Sequence, residues 1–259
     1  MLENIGRAAI KRFDDFLYIL GFFAQVLKES ALLFRRKQVG FRVLVMQILF
    51  TGVEALGIIA AMALSIGAAI NLIGSSLLAE FGQGKLMYTI LIVVIAKELG
   101  PLLTAFIVIA RSGTAIATEL GGMAVSHELE AYVAVGINPI SYLAAPRFLG
   151  VVTSMVVLYL YFSIFGLIGS FLVVQVLRPI SFNEYFLNLF AALAPGDLFS
   201  GLVKSFVFGI IISVASLYRG FSVERASTEV PVAGIKAVGS SFILCVFADV
   251  AMTAIQYAR

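Results

Sequence analysis

The sequence is poor in the residues that usually carry chemistry. It contains a single cysteine, Cys245, and a single histidine, His127. One cysteine excludes an internal disulfide and any multi-thiolate metal site, and one histidine excludes the usual histidine-based zinc clusters. The H-E-x-x-H, nucleophile-elbow and Asp-rich metal motifs are also missing from the sequence. We therefore expect no catalytic residue and no bound metal.

A nucleotide-binding phosphate loop is missing as well. The segment GQGKLM at 82–87 lacks both the spacing and the Ser/Thr of the G-x-x-x-x-G-K-[ST] motif. If the protein uses ATP, a partner chain must therefore bind ATP and Mg²⁺ and hydrolyse the nucleotide. We expect no cofactor in this chain and no nucleic-acid partner.

Charge is scarce and apolar residues are abundant. Only 13% of the 259 residues are charged, 61% are hydrophobic, and the mean hydropathy is +1.05. A soluble domain is roughly half apolar and about a quarter charged. The apolar residues form runs near or above the ~20 residues that cross a bilayer as a helix. We predict an all-α membrane protein with five transmembrane helices at about 43–72, 86–110, 148–177, 198–217 and 232–257.

The basic residues predict the orientation of these helices. With the N-terminus inside, thirteen of the eighteen Lys and Arg residues fall on the inner side and three on the outer side. Cytoplasmic loops carry the excess of Lys and Arg in membrane proteins. We therefore expect a multi-pass membrane protein with its N-terminus in the cytoplasm and its C-terminus on the outer side.

The first 42 residues differ from the five-span domain expected at 43–259. Apolar residues from Phe13 to Phe34 recur at helical spacing, with basic residues around them, and we expect no cleaved signal. This pattern predicts an N-terminal helix lying in the membrane interface. The alternative is a soluble amphipathic helix packed against a partner.

Lys97 and Glu98 interrupt the second apolar run. Adjacent residues point about 100° apart on a helix, so each is expected to find a partner on another helix or in a wet cavity. Pro101 removes a backbone donor and favours a kink. We predict a pocket lined by Lys97, Glu98, Leu99, Pro101 and Lys204, where Lys204 either joins the same cavity or extends outward to the interface. The alternative for the charged pair is structural ion pairing.

A short polar helix is predicted at 126–135, between the second and third spans. Ser126 is the expected N-cap, and Gly136 the expected stop. This is a candidate docking helix for a soluble partner, with a partner groove burying Leu129 and Tyr132. The alternative is a solvated loop helix. The predicted contact set also includes Glu119, Glu128, Glu130, Val133 and Gly136.

Three charged residues near the inner side are interpreted as structural. We expect Arg111 and Glu119 to tie the segment before the 126–135 helix to its neighbours, and Glu54 to have a structural role.

An outer helix is predicted to begin at Ser181, because Ser181 and Glu184 fit the S-x-x-E capping box. Pro195-Gly196 is expected to end it. The apolar face favours a short periplasmic amphipathic helix lying on the membrane surface. It either anchors the chain or docks an external partner through Phe182, Tyr185, Phe186 and Leu189.

The stretch ELGPLLTAFIVIARSGTAIATELGGMAVSHELEAYVAVGINPISYLAAPR, from Glu98 to Arg147, resembles the signature of the MlaE-type permeases. These proteins are the membrane subunits of MCE-associated ABC lipid transporters. FTGVEALGII at 50–59 and FADVAMTAI at 247–255 are also similar to this family. The resemblance implies a protein of the bacterial inner membrane with an N-terminal interfacial helix, five spans and a periplasmic C-terminus. It also implies that the helix predicted at 126–135 is a cytoplasmic coupling helix.

The same resemblance implies the function and the partners. The expected protein is a homodimeric permease with two cytoplasmic ABC ATPase subunits, a periplasmic MCE-domain ring and often a STAS-type accessory subunit. A membrane phospholipid would occupy an outward-facing cavity at the dimer interface. Glu98 matches the acidic residue of the family at that cavity, and Lys97 lies where the family commonly has a base.

Two other classes of function are weighed against this one. A channel or a non-transporting scaffold is the alternative, but a channel should carry a polar stripe along several spans, and the polar side chains here are few and clustered. A lipid-modifying enzyme would need a catalytic constellation that the sequence does not supply.

Overall fold

The computed structural model describes residues 17, 19–32, 41–81, 83–177, 181–224 and 226–258. These residues form helices and turns, with no strand among them. Five helices are long and apolar enough to cross a membrane, which confirms the predicted number of spans. We number the helices in chain order: α1 at 19–32, α2 at Phe41–Leu78, α3 at Leu86–Val125, α4 at Glu128–Ala134, α5 at Ile140–Val176, α6 at Phe182–Ala192, α7 at Pro195–Phe221 and α8 at Glu229–Tyr257.

The helix α7 lies at the centre of the bundle and packs against α3, α5 and α8. Its buried face carries small residues about one turn apart, among them Gly201, Ser205, Gly209 and Ser213. Small residues let helix backbones approach closely in a membrane bundle. A Cβ at Gly209 would lie 2.9 Å from Cα of Val152, so α5 and α7 touch backbone to backbone at this point.

All five spanning helices are longer than the sequence predicts, and the second and third show what extends them. The second was expected to end near residue 110, but α3 continues to Val125, where its last turns pack on α7 and α8. The third was expected from about residue 148, but α5 begins at Ile140. The polar residues in these two extensions were expected to lie in a loop. They are helical because neighbouring helices supply partners for their charges.

The helix α1 packs on the bundle through Phe22, Val26 and Ser30, which are buried, and the Phe22 ring lies 5.9 Å from that of Phe221. Leu20 and Leu27, which belong to the predicted apolar face, are exposed on the other side of the helix. That this face lies in the membrane interface stays a prediction. The predicted positions Phe13, Phe16 and Phe34 lie outside the described residues.

Each end of α6 differs in part from the prediction. The helix does begin after Ser181, but that side chain makes no capping hydrogen bond, so the capping box is not formed. It ends at Ala192, and Pro195 is the first residue of α7 rather than the stop of α6. Proline suits the first turn of a helix because the missing N–H would be unpaired there anyway.

Candidate functional site

A cluster of charged side chains joins α3, α7 and α8 within the membrane-spanning bundle. Lys97 and Glu98 come from α3, Asp197 and Lys204 from α7, and Asp249 from α8. We call these five residues the charged cluster. Three carboxylates face two ammonium groups, so the formal charge of the cluster is one negative unit. Ionisable residues within spanning helices are costly and usually functional.

Lys204 is the centre of the cluster and its side chain is fully buried. Its ammonium donates hydrogen bonds to Oε2 of Glu98 at 2.6 Å and to Oγ1 of Thr253 at 2.7 Å. Oδ1 of Asp249 lies 3.0 Å away as an ion pair, without the alignment of a hydrogen bond. Two hydrogen-bond acceptors and one further carboxylate oxygen thus surround the buried ammonium of Lys204.

Lys97 pairs separately from Glu98. Its ammonium lies 3.3 Å from Oδ1 of Asp197, and it sits 5.5 Å from the centre of the Tyr257 ring in a cation–π contact. The side chains of Lys97, Glu98, Asp197 and Asp249 are between 15% and 25% exposed, so the cluster borders the surface of the chain. The cluster can therefore meet a polar group arriving from outside the chain.

The backbone of α3 is distorted where it carries these charges. Residues Val93–Glu98 form a π-helical turn, in which N–H groups bond to the carbonyl five residues earlier. In that register the Ala96 carbonyl would need the N–H of residue 101, which is proline and has none. The hydroxyl of Tyr159 donates to this carbonyl instead, at 2.9 Å. A buried tyrosine on α5 thus stabilises the segment that presents Lys97 and Glu98.

The pairings predicted for the two charges are confirmed: Lys97 and Glu98 find partners on other helices and not each other. Lys204 does not extend outward to the interface but joins Glu98. Among the other predicted pocket residues, Pro101 is buried and Leu99 lines an apolar cavity of about 440 Å³ between α2 and α3. That these residues hold lipid stays a prediction.

Three members of this site were not predicted from the sequence. They are Asp197, Asp249 and Thr253, and all lie on α7 or α8. Asp249 could have been predicted from the sequence, because an acidic residue within an apolar span is by default a candidate functional residue. Thr253 follows it by one helical turn and so shares its face.

Two further ion pairs lie towards the other end of α3. Arg111 pairs with Glu54 of α2, and Arg147 of α5 donates to Oε1 of Glu119 at 2.7 Å. These pairs confirm that Arg111 and Glu119 tie α3 to its neighbours and that Glu54 has a structural partner. Only 6% of the Arg147 side chain is exposed.

The candidate coupling helix α4 is shorter than predicted and begins differently. The residue before it is His127, with a left-handed φ of 61°, and Ser126 provides no cap. The Ser126 hydroxyl donates to the carboxylate of Glu128 instead. The end is as predicted: Gly136 has φ 79°, and the Ile137 N–H bonds back to the Tyr132 carbonyl at 2.8 Å.

The exposed apolar surface near α4 includes only one of the three predicted apolar residues, Val133. Leu129 and Tyr132 are half-buried against the chain itself, and the Tyr132 ring lies 5.4 Å from that of Tyr142. Val133 and Val135 are 62% and 72% exposed. A partner that docks here would meet the two valines first.

The helix α6 is held to the bundle by two of the residues predicted to contact a partner. Tyr185 and Leu189 are buried, which leaves them no surface for a partner and corrects that prediction. The Tyr185 hydroxyl donates to the Leu167 carbonyl at 2.7 Å, and burial raises the pKa of Tyr185 to about 12. Phe182 is exposed and Phe186 half-buried, so the prediction stands for these two only.

The family described as Permease MlaE matches residues 44–255 of this chain. That range contains the charged cluster and α4.

Several curated proteins are similar along most of the chain. A "Probable ABC transporter permease protein" of Rickettsia felis is 30% identical, covering 98% of both chains. The "Intermembrane phospholipid transport system permease protein MlaE" of Haemophilus influenzae is 26% identical, covering 99% of both. "Protein TRIGALACTOSYLDIACYLGLYCEROL 1, chloroplastic" of Arabidopsis thaliana is 30% identical over 77% of this chain and 57% of its own length.

Proposed function

The chain belongs to the MlaE permease family, and we propose that it moves phospholipid between the inner membrane and a periplasmic MCE-protein conduit. It is an ABC permease for lipid transport and not an enzyme, and ATP is hydrolysed on a separate ATPase subunit. The substrate class follows from the similarity to the phospholipid transport permease of Haemophilus influenzae.

The charged cluster is the observation that supports a lipid headgroup site. It places both signs of charge at the edge of an apolar bundle, as a zwitterionic headgroup requires. The ammonium of Lys97 suits the phosphate, and the carboxylates suit a headgroup amine. Oε1 of Glu98 is buried and has no hydrogen-bond partner among the described residues, so it retains an acceptor for such a donor. Leu99 and Pro101 form the apolar continuation of the pocket.

We assign the cluster to a cavity between two copies of the chain. The helix α8 supports this homodimer, because large apolar side chains such as Ile235, Phe247 and Val250 are at least 62% exposed along it. In that arrangement the partly exposed cluster residues on α3, α7 and α8 would line the interface. Lipid would then enter between the two permeases.

The remaining partners are assigned to the two ends of the bundle. The ATPase, with its ATP and Mg²⁺, docks on α4 and Gly136 at the cytoplasmic side, with the exposed carboxylates of Glu128 and Glu130 beside the docking surface. The periplasmic MCE ring contacts the exposed face of α6 around Phe182. A STAS-type subunit completes the complex in some systems. The N-terminus is cytoplasmic and the C-terminus periplasmic.

The test is lipid transport by the reconstituted complex with Glu98→Gln. This change keeps the shape of the side chain and removes its charge, so we expect transport to fall about tenfold or more while the complex still assembles. Lys97→Leu should have a smaller effect. The control is Glu224→Gln, which removes the charge of an exposed acid in the loop between α7 and α8.

Two results would contradict the proposal. Wild-type flux in a fully assembled Glu98→Gln complex would remove the cluster from the lipid path. A reconstituted complex that hydrolyses ATP but moves no lipid, or that conducts ions instead, would favour the alternative of a scaffold or a channel.

A further inference from the structure

A second polar cavity lies near the end of α3 away from the charged cluster. It has a volume of about 790 Å³ and lies between the first turns of α2, the last turns of α3 and the start of α5. Glu98 and Glu119 are 21 residues apart on α3, which is roughly 30 Å along a helix. That distance is about the thickness of the hydrocarbon core of a bilayer. The two polar sites are thus placed at different depths, one bilayer thickness apart.

The cavity has an excess of positive charge. Arg42 and Arg147 line it together with one acid, Glu119, which leaves one positive unit. Arg147 is held in place because it donates to the Leu143 carbonyl at 3.1 Å and to Glu119. Its Nε is buried and has no partner among the described residues. Arg42 is exposed, with no carboxylate of the described residues in salt-bridge range.

The rest of the lining is largely apolar, with two tyrosines. Tyr132 and Tyr142 border the cavity near the arginines. Gln47 and Thr118 add two uncharged polar side chains, and the apolar lining consists of Val43, Met46, Phe50, Ala115, Ile116, Met123 and Leu143. A free inorganic anion gains nothing from such walls, whereas an amphiphile with a phosphate and acyl chains matches both surfaces.

We propose that this cavity binds the phosphate group of a membrane glycerophospholipid at the basic end of the bundle. The phosphate lies between Arg42 and Arg147, and the glycerol and upper acyl chains lie along the apolar wall. This lipid is separate from the one at the charged cluster, so the inference does not depend on the transport function. A lipid here would also contact Tyr132, and so link the inner membrane surface to α4.

The experiment is native mass spectrometry of the full-length chain in detergent, titrated with phosphatidylglycerol. Arg42→Gln removes one cation from an exposed position, and we expect it to weaken one lipid-binding step about tenfold. Ala115→Phe fills the cavity without changing any charge and should weaken the same step. The matched control is Lys236→Gln, an exposed cation on α8 outside the cavity, which should bind as the wild type does. Circular dichroism checks that each variant keeps its helices.

Three further measurements show which part of the lipid causes the binding and at which site it binds. Diacylglycerol with the same acyl chains lacks the phosphate and should bind without dependence on Arg42. Inorganic phosphate should not displace the lipid at millimolar concentration; if it does, and binds with the same Arg42 dependence, the site takes a free anion and the lipid proposal is wrong. Glu98→Gln should leave the Arg42-dependent binding step unchanged. The failure of this proposal can therefore be distinguished from a failure of the proposed transport site.

Two outcomes overturn the inference directly. In the first, Arg42→Gln and Lys236→Gln bind phosphatidylglycerol equally and as tightly as the wild type. In the second, Arg42→Gln leaves lipid binding intact but weakens ATPase association, which would make the cavity a protein-docking surface.

Discussion

The ammonium of Lys204 lies 2.6 Å from the carboxylate of Glu98, although 106 residues separate them in the chain. Lys204 is fully buried, while a quarter of the Glu98 side chain is exposed. The pair therefore has an inner end that the bundle encloses and an outer end that a ligand can reach. This geometry lets one contact both join α3 to α7 and present a charge at the surface.

Lys204→Met should destabilise the protein strongly, because it leaves Glu98 and Asp249 without their shared cation. Breaking a buried ion pair from one side typically costs about 3–5 kcal/mol. Thermal unfolding in detergent, followed by circular dichroism, measures the effect. Lys236→Met is the control, since Lys236 is exposed.

Neutralising Glu98 and Asp249 should recover part of the stability that Lys204→Met loses. The triple variant with Glu98→Gln, Asp249→Asn and Lys204→Met carries no unpaired charge at this point and should unfold at a higher temperature than the single variant. If Lys204→Met unfolds at the wild-type temperature, the ammonium does not stabilise the bundle.

Val133→Asp should reduce association with the ATPase at least tenfold, because it places a charge at the centre of an apolar contact. Val133 is 62% exposed, so the variant should fold as the wild type does. A pull-down from detergent and an ATPase assay measure the effect. Leu129→Ala with Tyr132→Ala should instead loosen α4, since both side chains pack on the chain itself. Full ATPase binding by Val133→Asp would exclude α4 as the docking helix.

Cysteine labelling tests the orientation. Cys245 is buried, so a membrane-impermeant maleimide applied to intact spheroplasts should report only introduced cysteines. Ala258→Cys should be labelled from the periplasm, and Glu128→Cys only after the membrane is opened, because three of the five spans lie between the two positions and place them on opposite sides. The reverse pattern would overturn both the orientation and the assignment of α4 to the ATPase.

Tyr185→Phe should lower stability by about 1 kcal/mol near neutral pH, because the Leu167 carbonyl loses its donor. The difference should shrink at high pH. The pKa of Tyr185 is raised from 10.0 to about 12 in the folded chain, so the unfolded state loses this proton first. Between these values the stabilisation by the neutral phenol is progressively lost. The measurement is the unfolding midpoint of the wild type and of Tyr185→Phe from pH 9 to 12. A constant difference between the two midpoints over this range would contradict the prediction.

The number of spans and their approximate places were set by the sequence, because a bilayer imposes a length of about 20 apolar residues on each helix. The sequence also predicted correctly that Lys97 and Glu98 lie within a span and that the helix α4 stops at Gly136. These features depend on local composition or on one backbone angle. The sequence pattern also indicated the family from the residues between Glu98 and Arg147.

The sequence could not show which distant residues meet. The site at Lys204 needs Asp249 and Thr253, which approach only because α8 packs beside α7. The helical state of residues 114–125 depends on similar packing, since their composition alone resembles a loop. The burial of Tyr185 likewise depends on where α6 docks, since its amphipathic pattern fits either a membrane or a partner. Which residues contact each other depends on the packing of helices that are distant in the sequence, and in this protein only the tertiary structure decided it.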